Sequence, residues 1–125
     1  MKARIVELKT ESTEQFLVRL GEHAAALDRG ESLKPGITIS FADPMEMMSV
    51  MTAEKMRLIA TVKTRPFLLA GLATELGRDV RAVSRDVKVL ESAGLLRTSF
   101  RVNPGHGRMK VVEAVAERYQ LVANF

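Results

Sequence analysis

The sequence predicts an α+β fold, and three observations predict it. Residues 52–94 carry three successive stretches with apolar residues at helical spacing, the last two separated only by Gly77-Arg78-Asp79. Residues 95–112 then alternate apolar and polar and contain a turn with two glycines, the pattern of a hairpin. Residues 1–50 hold shorter strand-like and helical runs of their own. Two short helices across a tight turn, followed by a basic hairpin, is the order of a winged helix-turn-helix, here with an N-terminal α/β extension. The expected division is an extension over residues 1–50, a dimer or partner-binding arm, and a winged helix-turn-helix over residues 51–125.

In the extension, Ile5, Val6 and Leu8 suit a short strand. A helix is expected from about Glu11 to Leu27, capped by Thr10 or Ser12, with Phe16, Leu20, Ala24 and Leu27 at helical spacing. Gly30 and Pro35-Gly36 punctuate the chain before Ile37-Thr38-Ile39-Ser40-Phe41, which alternates like a strand. Asp43-Pro44 can start a turn or a helix that includes Met45 to Ser49. The cluster Met45, Met47, Met48, Met51 and Met56 is expected in a core or a dimer seam, because methionine is an adaptable apolar filler.

Thr52 can cap the next helix, with Glu54 in its first turn, and Arg65-Pro66 closes it. Leu69, Leu72, Ala73 and Leu76 recur at i, i+3, i+4 and i+7 on the following helix. Gly77 ends that helix without a side-chain penalty, and Asp79 can cap its successor over Val80 to Glu91. On this third helix Arg81, Ser84, Arg85 and Lys88 fall within a sector of about 100°. Val80, Val83, Val87 and Leu90 occupy the opposing sector, and Asp86 lies beside them where it could pair with a neighbouring basic residue. In the hairpin, Leu96, Thr98, Phe100 and Val102 share one face and Arg97 and Arg101 the other. Asn103-Pro104-Gly105-His106-Gly107 forms the tip. The tail reads two ways: Ala114 to Val122 suits a helix, while Tyr119, Leu121 and Ala123 alternate, and a strand over Tyr119–Ala123 is the preferred of the two.

Bulk properties narrow the function classes. The 125 residues are 46% hydrophobic and 27% charged, a balance that supports one main globular core. There is no cysteine, hence no disulfide framework or thiolate metal site, which fits a reducing compartment. No apolar run is long enough to cross a bilayer, and the first residues lack the apolar stretch of a secretory signal, so a cytoplasmic location is expected. Net charge is +4, unevenly spread: residues 61–110 carry ten Lys/Arg against four Asp/Glu, while residues 1–60 carry eight against nine. Positive charge concentrated on the helix-turn-helix pattern attracts a polyanion and steers its encounter.

Arginine donates in a fork to guanine or phosphate, and serine donates to either kind of acceptor. Arg81, Ser84, Arg85 and Lys88 are therefore the candidate groove-reading residues. Arg78, in the turn, suits a backbone contact. Arg101, His106, Arg108 and Lys110 are the candidate wing contacts to flanking phosphate or the minor groove. His23 reads as a helix-surface or satisfied buried histidine. With two distant histidines, no elbow serine and no convincing metal spacing, neither an enzyme, a cofactor nor a bound metal is expected.

The segments Gly71-Leu72-Ala73-Thr74-Glu75-Leu76-Gly77-Arg78-Asp79-Val80, Val83-Ser84-Arg85-Asp86-Val87-Lys88-Val89-Leu90-Glu91 and Gly94-Leu95-Leu96, with Gly105-His106-Gly107-Arg108, resemble the MarR-like winged-helix regulators of bacteria and archaea. The resemblance runs from Thr52 to Lys110. It implies DNA-binding transcription control, often as a homodimer, with Arg81, Ser84, Arg85 and Lys88 in the reading helix and Arg108 in the wing. MarR proteins usually carry longer terminal helices for dimerisation, with a ligand pocket between them. This chain is shorter, and Ala114–Phe125 does not read plainly as such a helix. The function expected is sequence-specific binding of double-stranded DNA as a repressor or autoregulator. The alternative is a protein-interaction winged helix, such as an antitoxin that neutralises a toxin through residues 1–50.

Overall fold

The computed structural model describes residues 3–31, 36–105 and 107–125. In chain order they form β1 (Ala3–Thr10), α1 (Thr13–Asp28), β2 (Ile37–Phe41), α2 (Pro44–Val50), α3 (Ala53–Val62), β3 (Phe67–Leu68), α4 (Leu69–Leu76), α5 (Val80–Ser92), β4 (Leu96–Asn103), β5 (Gly107–Ala114) and β6 (Ala116–Val122). The fold is α+β, and its run from α3 to β5 has a winged-helix-like order. Each helix expected from the sequence is present with ends shifted by a few residues. The two-residue strand β3 was not expected, since so short an element has no period of its own.

Local chemistry explains the boundaries. Ser12, not Thr10, caps α1: its hydroxyl accepts from the Gln15 backbone N–H, and the Gln15 side chain accepts from the Ser12 N–H in return. Gly77 ends α4 at φ 64°, a left-handed conformation that a side chain would oppose. The Asp79 carboxylate then accepts from the Arg81 backbone N–H at 2.7 Å and opens α5.

Two three-stranded sheets frame the molecule. One is antiparallel in the order β3-β5-β4; the other is parallel in the order β2-β1-β6. The second sheet divides the fold differently from the boundary expected at residue 50. β6 lies beside β1, pairing Val6 with Tyr119 and Leu8 with Leu121, so the C-terminal strand belongs with the N-terminal extension. The physical reason is burial. Val6 and Leu8 are fully buried, and a strand so buried needs a hydrogen-bonding neighbour on each edge for its backbone groups.

One core joins both sheets. Val6, Leu8, Phe41, Met47 and Met51 continue into Leu58, Val62, Leu72, Val83, Val87, Leu90, Leu95, Val112 and Ala114. The methionine cluster splits: Met47 and Met51 are core, whereas Met45, Met48 and Met56 are exposed. Tyr119 stitches the two regions together. Its hydroxyl donates to the Leu95 carbonyl at 2.6 Å and accepts from the Val115 N–H at 3.0 Å.

α1 stands apart. It contains no buried residue, and Phe16, Leu17, Val18, Leu20 and Leu27 are all exposed. Its firmest tie to the sheet is polar. Arg19 donates to the buried Glu11 carboxylate at 2.7 Å and to the Ser40 hydroxyl at 3.2 Å, while Ser40 donates to Glu11. The Arg19 guanidinium, with help from Ser40, holds the Glu11 carboxyl below the usual carboxylate range.

Candidate nucleic-acid interface

α5 presents two contrasting faces because its apolar positions recur at three and four residues. Val83, Val87 and Leu90 have 0% exposure, packed against α4 and the sheet. Val80 departs from its expected burial and is 45% exposed, since the first residue of the helix lies beyond the edge of the packed surface. On the opposite side Arg81, Arg85 and Lys88 are exposed and Ser84 is half-buried. Among the described residues, the side chains of these four make no hydrogen bond or ion pair with the protein. Three cationic heads thus stand on a helix whose other side is clamped by the core.

Arg78 has a different surrounding from its three neighbours. Its guanidinium donates to Asp86 at 2.8 Å and lies 3.1 Å from Glu54, with the side chain only 18% exposed. Lys55 approaches the same Asp86 carboxylate at 3.9 Å. The expected partnering of Asp86 with a neighbouring base is therefore present. It fastens the α4–α5 turn and α5 to the first turn of α3. In this geometry Arg78 braces the turn through Asp86 and Glu54. The sequence hid this because Glu54 and Arg78 meet only through helix packing.

The hairpin continues the core face outward. Leu96 pairs with Ala114 and Thr98 with Val112 where the hairpin covers the helices. Two residues further along the same face, Phe100 pairs with Lys110 and Val102 with Arg108. At eight residues each, these strands outrun the helices they pack on, so Phe100 and Val102 are 59% and 74% exposed. Arg108 lies over the Phe100 ring at 4.6 Å, a cation–π contact that steadies the guanidinium. Lys110 sits beside it on the pleat.

Arg101 pairs with Met109 and so projects from the other hairpin face, as alternation had indicated. It lines an open cleft with Arg65, Phe67, Gly71, Glu75 and Val111, and is not brought together with Arg108 and Lys110. His106 falls outside the described residues. Sequence reading missed the Phe100–Arg108 stack. The signal available was strand length: an alternating run that continues past the helices it covers must expose its far residues.

Among the described residues, no group of three or more His, Cys, Asp or Glu could hold a metal ion, and no helix is long and apolar enough to cross a membrane.

Comparison with known proteins now adds the family. Residues 50–114, more than half of the chain, match the model of the HVO_A0114 family, and the chain belongs to that family. No curated protein matches. Among solved structures, a possible transcriptional regulator from Methanosarcina mazei Go1 is similar at 20% identity and a TM-score of 0.51, over 62% of this chain and 68% of that one. NolR from Sinorhizobium fredii aligns over 86% of this chain and 81% of its own at 14% identity and a TM-score of 0.47. Rv0081 from M. tuberculosis aligns over 59% and 76% at 15% identity and 0.46. At 20% identity the likeness to the Methanosarcina mazei structure is one of fold, winged-helix-like.

Proposed function

We propose that this HVO_A0114 family member is a transcriptional regulator of the MarR-like kind that binds double-stranded DNA, with α5 entering the major groove and the β4–β5 hairpin serving as its wing. One observation carries the reading: Arg81, Arg85 and Lys88 form an exposed cationic row, unpaired among the described residues, on a helix locked from behind by three fully buried side chains. Such a row meets the requirement for groove entry, donors fixed on a rigid and narrow element. Arg108 and Lys110 on one hairpin face supply the flanking phosphate contacts. Arg101 and His106 are left as outer wing residues, and Arg78 as the support of the reading helix. Repression or autoregulation is the regulatory outcome we assign, since a protein seated in the groove occludes other DNA-bound proteins.

The test is a selection from randomised duplexes, followed by anisotropy titration of the enriched site at increasing salt. Affinity is expected to fall with salt at a log–log slope of about −0.9 for each phosphate neutralised. The double reversal of Arg81 and Arg85 to Glu is expected to abolish enrichment, whereas Lys110→Ala weakens all duplexes alike and lowers the slope by about one. Absence of binding at low salt, or binding insensitive to salt, would overturn the reading.

A further inference from the structure

The outer end of the β4–β5 hairpin leaves two large apolar side chains in water. Phe100 and Val102 are 59% and 74% exposed, and they stand on β4, an edge strand of the antiparallel sheet. Lys110 and Arg108 stand opposite them on β5, one cation across from each apolar residue. No carboxylate occupies a paired position on this face from Leu96 to Ala114. Arg101 projects from the other face of β4 and is exposed as well. The edge of β4 is thus apolar, with cations behind it on one face and beside it on the other.

A partner for such an edge must offer apolar surface between two rows of negative charge. A flat acidic surface supplies charge on one side only. The minor groove of a duplex supplies both, with phosphate rails, sugar walls and the faces of stacked bases. Its width of about 6 Å excludes a helix but admits the edge of a strand. The spacing agrees. Phe100 and Val102 are two residues apart, about 6.8 Å along a strand, which is the length of two base steps of about 3.4 Å.

We infer that the wing drives Phe100 into the minor groove as a wedge between two base pairs, with Val102 against the adjacent sugar, and that the bound duplex is bent. The inference rests on the DNA-binding reading of α5 and adds to it a deformation of the DNA. The Phe100 ring carries the Arg108 guanidinium at 4.6 Å. That stack lies in solvent, where a phosphate is a stronger partner for the guanidinium than a ring is. Entry therefore hands Arg108 to the backbone and bares the ring for the bases. Apolar wedges of this kind kink a duplex by about 20–90°. A step that unstacks readily, TA or CA, is expected beneath the wing, selected by its deformability.

A duplex recovered by selection and labelled at both ends with a donor and an acceptor reports bending by energy transfer. The same duplex with 2-aminopurine at successive flanking positions reports unstacking by fluorescence. The full chain is expected to shorten the end-to-end distance and to brighten one 2-aminopurine position. Phe100→Ala, at a surface position that supports no core, is expected to melt as the wild type does. It is expected to bind about tenfold more weakly, the loss of one base–aromatic stack, and at saturation to leave the duplex straight and the probe dark. Phe100→Leu keeps an apolar wedge and is expected to keep the bend. Wild-type binding to a duplex that stays straight, with no bright position, overturns the inference and leaves the DNA-binding reading standing. So does a Phe100→Ala variant that binds and bends DNA as the wild type does, which returns the exposed face to another partner. Failure to bind any duplex overturns both.

Discussion

α1 and α5 are both amphipathic, and their sequences advertise it in the same way. Their fates in the fold are opposite. α5 buries Val83, Val87 and Leu90 completely and turns its cations outward, while α1 anchors a polar flank and leaves its leucines in solvent. Periodicity states that a helix has an apolar face, but not what covers it. Coverage is decided by the rest of the chain. α5 meets α4 and the antiparallel sheet, both close in sequence. The outer surface of the parallel sheet beside α1 is mixed: Glu7, Lys9, Ser40 and Gln120 stand among Ile5 and Val122, and the contact it makes with α1 is the polar one through Arg19.

The sharpest break between the two helices is energetic. Leu90→Ala is expected to cost about 2–5 kcal/mol in chemical denaturation, since a cavity opens in close packing. Leu20→Ala is expected to change stability by less than about 0.5 kcal/mol when measured on dilute chains. Equal losses at the two positions would mean that α1 packs within its own chain after all.

A smaller contrast lies within the cations of the winged-helix-like region. Arg78→Ala removes the link between Asp86 and Glu54 and is expected to lower stability by about 1–3 kcal/mol, because Asp86 keeps only the longer contact with Lys55. Arg85→Ala is expected to leave the unfolding midpoint nearly unchanged and to act on duplex affinity alone. Thermal melts paired with anisotropy titrations distinguish the two. If Arg85→Ala destabilised the fold as much as Arg78→Ala, the separation of brace from probe would collapse.

The smallest effect concerns what holds α1 in place. The Glu11 carboxyl lies below its ordinary value when folded, chiefly because Arg19 and then Ser40 donate to it. Its contribution is thus fully present above the unfolded carboxylate value, about 4.3, and is lost as pH falls through the lower folded value. Melts of the native chain are expected to decline over that acid range by more than those of Glu11→Gln, which has no charge to lose. Parallel declines in the two proteins would remove Glu11 from the account.

Much of this was legible because it is local. The caps at Asp79 and Gly77, the division of α5 into valine and arginine sides, and the alternation that separates Arg101 from Phe100 each depend on residues within a turn or a pleat. The tail was legible only in part: alternation from Tyr119 favoured a strand over a helix, but neither its start at Ala116 nor its neighbour could be read. Placing Val6 beside Tyr119 requires knowing that two segments over a hundred residues apart share a sheet, and alternation carries no such address. The ion pairs of Arg78 were hidden for a related reason. A basic residue in a turn looks free until a carboxylate from another helix is set 3.1 Å away. Exposure of the wing-tip apolar residues followed from relative element lengths, a quantity the sequence contains but periodicity does not weigh.

The adjacency of β1 and β6 imposes an order on biosynthesis. A nascent chain can assemble α3 through β5 from close neighbours as they leave the ribosome, but Val6 and Leu8 wait for Tyr119 and Leu121, more than a hundred residues downstream, before their second flanking strand exists. During that interval a strongly apolar segment is shielded on one edge alone. A phenol reaching the Leu95 carbonyl joins the two regions at that point, so completion of the amino-terminal sheet depends on a segment more than a hundred residues downstream of its central strand.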